Sequence, residues 1–93
     1  MKRPTMTLKQ AHKKLTYTAI FEFQPEGVYT VTVPALPGCV TQGDNLRHAK
    51  EMVRDAIQLY LESLQQDDEP IPADKPVRTR HHQEKVTVNL VNA

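Results

Sequence analysis

The sequence predicts an α+β domain in which one amphipathic helix packs on a mainly antiparallel sheet, and three observations carry that prediction. Apolar side chains fall at every second position over about 15–23 and 28–33, and at every third or fourth position over about 45–65. Between the two periods lies a corner, Pro34-Ala35-Leu36-Pro37-Gly38-Cys39-Val40-Thr41-Gln42-Gly43-Asp44. Its prolines remove backbone donors and fix φ, and its glycines allow conformations that a Cβ opposes.

The first strand places Leu15, Tyr17, Ala19, Phe21 and Phe23 on one face, with Thr16, Thr18 and Glu22 on the other and Ile20 as the exception. Gln24-Pro25-Glu26-Gly27 has proline where a type I turn wants it and glycine where a left-handed residue follows. Tyr29, Val31 and Val33 then resume the alternation, so the two strands form an antiparallel hairpin. Cys39 to Gln42 is short and partly β-branched, which suits a third strand at about 39–42.

Asp44 is the expected N-cap, because its carboxylate can accept from the first free amides of the helix. Leu46, Ala49, Val53, Ala56, Ile57, Tyr60, Leu61 and Leu64 form the helix's apolar stripe. Asp67-Asp68-Glu69 stands at the negative end of the helix dipole, where fraying and termination are expected, and prolines follow. Val86, Val88 and Leu90 alternate with Thr87 and Asn89 in a last strand at about 86–91. That strand either joins the sheet parallel to the first through a crossover or pairs with another protomer.

The 93 residues suffice for one small domain with a modest core, for which association with a second chain is a route to further burial. Twelve basic residues balance eleven acidic ones, which argues against binding nucleic acid or membrane through an overall field. Residues 1–14 are basic and aperiodic and are expected to be a flexible arm, leaving 15–93 as the domain. A single cysteine, with no signal peptide and no apolar run of membrane-spanning length, fits the cytoplasm.

The series Tyr17 to Phe23, Gly27 to Pro34, Leu36-Pro37-Gly38-Cys39 and Gln42-Gly43-Asp44 before an amphipathic helix resembles the HicB-type antitoxins over roughly 15–72. The resemblance implies a small β-β-β-α-β domain of partial ribonuclease H-like fold. It also implies a partner, a HicA-type RNA-cleaving toxin that the chain binds and inhibits. Fuller members carry a DNA-binding module after this domain, whereas here the chain stops at Ala93, so autonomous specific DNA binding is not expected. A homo-oligomer, dimer or tetramer, is expected from the small core and an open strand edge. The alternative is an orphan oligomeric scaffold or RNA-binding module without catalytic activity.

Enzymatic chemistry finds little support in the residue pattern. Two-metal phosphoryl transfer needs converging carboxylates, and the strand region offers Glu22 and Glu26, plus Asp44 at the corner. Glu26 belongs to the turn and Asp44 to the cap. His12, His48, His81 and His82 lack the spacing of a metal site, and Cys39 has no evident histidine partner and reads as a small buried residue. Tyr17, Phe21, Phe23 and Tyr29 could stack on RNA bases, but their alternation matches a sheet face covered by the helix. No catalytic residue, cofactor or metal is therefore expected. The candidate partner-binding residues are Pro37, Gly38 and Gly43 at the corner, Arg47, Lys50, Glu51 and Arg54 on the polar helix face, the acidic Asp67, Asp68 and Glu69, and the basic Arg78 and Arg80.

Overall fold

The structure, a computed structural model, describes residues 12–91. The elements run β1 (His12–Phe23), β2 (Tyr29–Thr32), β3 (Val40–Gly43), α1 (Leu46–Gln66) and β4 (His82–Val91). The four strands form one sheet in the order β3-β2-β1-β4, and every neighbouring pair is antiparallel. The expected basic arm lies outside the described residues up to position 11; its last three members, His12 to Lys14, belong to β1 and pair with Val91 to Asn89 of β4.

The hairpin closes as its residues dictate. Gly27 N–H donates to the Gln24 carbonyl at 2.9 Å, Gln24 N–H donates to the Val28 carbonyl at 2.8 Å, and Gly27 takes the left-handed φ of 94°. The corner folds back in two successive tight turns, with Leu36 N–H on the Val33 carbonyl and Cys39 N–H on the Leu36 carbonyl, both at 2.9 Å. These turns drive Leu36 to the interior, where it is fully buried. It joins Tyr17, Ala19 and Phe21 of β1, Val31 of β2, Val86, Val88 and Leu90 of β4, and Ala49, Val53, Ile57 and Leu61 of α1 in one core.

The helix begins one residue later than its acidic flank suggests. Asn45, not Asp44, is the N-cap: its Oδ1 accepts from His48 N–H at 2.8 Å. Asp44 instead donates its backbone N–H to His48 Nδ1 at 3.0 Å. At the far end the acidic run does not fray. Asp67 is the C-cap, Asp68 adopts a left-handed φ of 56°, and two bonds close the last turn, Asp68 N–H to the Gln65 carbonyl and Glu69 N–H to the Leu64 carbonyl. That is a Schellman stop, whose gain in carbonyl satisfaction outweighs the unfavourable charges.

The last strand corrects the sequence reading twice. It starts at His82, four residues earlier than expected, and it runs antiparallel to β1 within the same chain rather than parallel to it or in another protomer. The connection over 67–81 makes this possible by wrapping around β1. Tyr17, on the helix side, donates its hydroxyl to the Pro72 carbonyl at 2.6 Å, and Asp74 then meets Thr18 at the strand edge. Pro76 and Val77 come to lie beside Thr18, Gln83 and Lys85 on the opposite face.

Gly43 positions the helix on the sheet. A Cβ there would stand 2.3 Å from Ala49 N and 2.4 Å from Ala49 Cα, contacts with backbone that cannot swing aside. Gly43→Ala is therefore expected to lower stability by about 3 kcal/mol, the upper end of overpacking costs, as read from urea denaturation.

Candidate partner-binding surface

The predicted site residues fall into separate places. Pro37 and Gly38 are exposed at the corner, where Gly38 has a φ of 84° and the Pro37 carbonyl accepts from the Tyr60 hydroxyl at 2.8 Å. Gly43 is buried beneath Ala49 and presents no surface to a partner. Arg47, Glu51 and Arg54 are exposed on α1, whereas Lys50 is drawn in to Glu84, with Nζ 3.0 Å from Oε2. Asp67, Asp68 and Glu69 are exposed at the end of the helix, and Arg78 and Arg80 are exposed on the connection.

Two ionic clusters that the sequence pattern did not reveal tie the connection and β4 to the rest of the sheet. The Asp74 carboxylate accepts from Thr18 N–H at 2.8 Å, from Thr18 Oγ1 at 2.9 Å, from Lys75 N–H at 2.8 Å and from Lys85 Nζ at 2.9 Å. Lys85 Nζ also donates to Thr18 Oγ1 at 2.7 Å. Burial works to raise the Asp74 pKa, but the bonds from Lys85, Thr18 and Lys75 outweigh it and hold the carboxyl below its ordinary value. Glu84 accepts from His82 Nε2 at 2.6 Å and pairs with Lys50; His82 first, and Lys50 after it, hold its carboxyl low despite partial burial. The only sequence signal for either cluster was a carboxylate, Asp74 in a proline-rich stretch and Glu84 in a polar one.

The residues weighed for chemistry are placed otherwise. Among the described residues no group of three or more His, Cys, Asp or Glu side chains is arranged to hold a metal ion. Burial pushes the Cys39 thiol up, away from the thiolate a nucleophile needs. Tyr17 and Phe21 are buried in the core, while Phe23, 62% exposed, lies edge-on against Tyr29 with ring centroids 5.1 Å apart. No helix among the described residues is long and apolar enough to cross a membrane.

A shallow apolar groove lies between the corner and the second half of α1, with a volume of about 330 Å³. Gly38, Cys39 and Val40 form one wall, and Ala56, Leu59 and Tyr60 with the turn after them form the other. Leu59 is 69% exposed and Val40 57% exposed, and no charged side chain lines the groove.

Comparison with known proteins places this geometry in a family. The family model described as a HicB-like antitoxin of bacterial toxin–antitoxin systems matches residues 17–92. A UPF0150 protein of Thermoplasma acidophilum is 45% identical over 60 residues, spanning 64% of this chain and 87% of the relative. Antitoxin HicB 1 of Photorhabdus laumondii is 38% identical over 65 residues, covering 70% of this chain but 42% of that antitoxin, so the chain spans less than half of its length. The N-terminal domain of the Burkholderia pseudomallei antitoxin HicB superposes with a TM-score of 0.68 at 23% identity, over 82% of this chain and all of that one. The α+β fold is thus the fold of that domain.

The Asp74 cluster generates a prediction with a definite sign. A carboxyl whose pKa is lower in the folded than in the unfolded chain contributes stability above the unfolded value, near 3.8, and loses it as pH falls through the folded value. Asp74→Asn should therefore cost about 1–3 kcal/mol at pH 7, because Thr18 and Lys85 lose a charged acceptor. The gap between variant and wild type should close below about pH 4 in denaturation curves.

Proposed function

Because the chain belongs to the HicB-like antitoxin family, we propose that it neutralises a small HicA-type RNA-cleaving toxin by binding and covering it, without chemistry of its own. The observation that carries this reading is the family match over residues 17–92, nearly the whole described domain. The disposition of the ionisable groups supports it. Asp74 and Glu84, whose titration the fold shifts, are both engaged by cations of the same chain. A reducing cytoplasm, where such a toxin would meet RNA, suits a chain whose lone cysteine is free and buried.

For the toxin-facing surface we favour the exposed, charged outer side of α1 with Arg47, Glu51 and Arg54, continued by Asp67, Asp68 and Glu69 at its end. An RNA-binding toxin presents basic surface to phosphates, and a run of exposed carboxylates complements such a surface and speeds encounter. Arg47 and Arg54, like Arg78 and Arg80, carry the opposite sign, so the attraction rests on Glu51 and the three carboxylates at the helix end.

The decisive test is copurification of the chain with a toxin-sized protein encoded beside it, followed by RNA cleavage with and without the chain. Suppressed cleavage is expected; failure to bind or to suppress would overturn the reading in favour of an orphan scaffold. Replacing Asp67 and Asp68 by Asn and Glu69 by Gln should weaken toxin association roughly tenfold at low salt and much less at high salt. Asn tolerates the left-handed backbone at position 68, so the helix stop survives and the fold serves as its own control.

A further inference from the structure

We propose that the end of the sheet where β4 begins binds a single-stranded nucleic acid, with Phe23 stacking on a base and Arg47, Lys50 and Arg54 taking the phosphates. Gly43, Tyr29 and Phe23 form one row across three strands. The helix covers only one end of that row: Ala49 lies on Gly43, while Phe23 is largely exposed. The expectation that the helix hides the aromatic residues of the hairpin therefore holds for Tyr17 and Phe21 and fails for Phe23. Tyr29 meets Phe23 edge-on, which holds the ring in place without enclosing it.

Cations gather at the same end. The register pairs Phe21 with His82, their ring centroids 5.5 Å apart, and the exposed Arg80 precedes His82 by two residues as Phe23 follows Phe21. On α1, Arg47, Lys50 and Arg54 stand at spacings of three and four and so share one stripe. Lys50 fixes where that stripe lies, because its Nζ is 3.0 Å from the Glu84 carboxylate that also holds His82. Lys50 and His82 nevertheless keep 43% and 48% of their side chains exposed. Arg47 and Arg54 are less committed still, with no ion-pair partner among the described residues.

The nearby carboxylates do not cancel this charge. Glu84 is shared by two cations, Glu22 is on the opposite face of β1 from Phe23, and Glu26 lies beyond in the hairpin turn. Glu51 and Asp55 follow Lys50 and Arg54 by one position, which turns them about 100° away around the helix. Asp67, Asp68 and Glu69 follow Gln65, which bonds Val91, so they are at the other end of β4, roughly 30 Å from His82. Charges that balance over the whole chain are thus segregated between its two ends.

An open aromatic ring beside a row of cations is what a single strand requires: stacking accepts any base, and the cations follow the backbone. A base paired within a duplex offers no free face to Phe23, so the ligand is unpaired. A cationic toxin is repelled by the same arginines, which keeps this end distinct from the acidic helix end and makes the inference independent of the toxin.

The test is fluorescence anisotropy of the full chain, without toxin, against a labelled single-stranded RNA of about a dozen nucleotides, its DNA counterpart and the matching duplex. The single strands should bind with a dissociation constant on the order of 10 μM at low salt, and the duplex more weakly. Phe23→Ala should weaken binding about tenfold, and Phe23→Trp should retain it. Arg47→Gln and Arg54→Gln should each lower the slope of log affinity against log salt by about 0.7. All three positions are exposed, and circular dichroism checks that the variants keep the fold. Preference for RNA over DNA would name RNA as the ligand, and equal binding would support the single strand as such. No binding with the chain at about 1 mM, tighter binding of the duplex, or single-strand binding unchanged by Phe23→Ala would overturn the proposal. Loss of toxin association in Phe23→Ala, with nucleic acid binding unaffected, would overturn it too and would give this end to the toxin.

Discussion

Everything in this domain depends on how closely α1 approaches β3. The Ala49 backbone sits where a side chain on Gly43 would be, so the first turn of the helix lies directly on the sheet. From that contact the helix runs along the sheet between β3 and β4, with Lys50, Gln58 and Gln65 reaching β4 in turn, and Val53, Ile57 and Leu61 join Val31, Phe21, Tyr17 and the β4 valines in the core. A helix held one side chain further out would leave this small core underpacked, and in a chain of 93 residues there is little other apolar surface to compensate.

The same placement explains how the sheet manages its edges. Because the helix lies alongside β4, from Lys50 at Glu84 to Gln65 at Val91, Gln58 and Gln65 reach the outward carbonyls of that strand. Because β2 is short, β1 is left unpaired on that side beyond Ile20, and Asp74 takes up the next outward N–H, that of Thr18. The connection that carries Asp74 must pass around this edge to reach β4 on the far side of β1. One carboxylate thus closes an edge, satisfies a buried threonine and fixes the path of the last strand.

The parts legible in the sequence were those written as periodicity. The hairpin, the turn at Gln24 to Gly27 and the helix stripe follow from alternation and spacing alone. The parts missed were those where a polar residue does the work of an apolar one. His82 and Glu84 occupy helix-side positions of β4 but pair with each other, and Glu84 also with Lys50, so the strand looked four residues shorter than it is. His12 to Lys14 form strand with no apolar signal. Asp44 and Asn45 are both competent caps, and only the geometry of His48 N–H distinguishes them. Of the candidate site, the charged helix face and the acidic helix end were visible as composition. The groove was not, because Leu59 falls outside the helix's apolar stripe and Val40 read as one more residue of a strand.

These placements separate two kinds of surface. The corner identified the family from its prolines and glycines, yet those residues mostly serve geometry: Leu36 is thrust into the core, Gly43 admits the helix and the Pro37 carbonyl anchors Tyr60. What remains for recognition is an uncharged groove beside β3 and a charged band along the outer side of α1 that ends in three carboxylates. Uncharged, well-packed surface gives affinity through desolvation, while exposed charge governs encounter rate and choice of partner. The groove and the charged band therefore answer to different physical forces, the first to desolvation and the second to the charge of what approaches it.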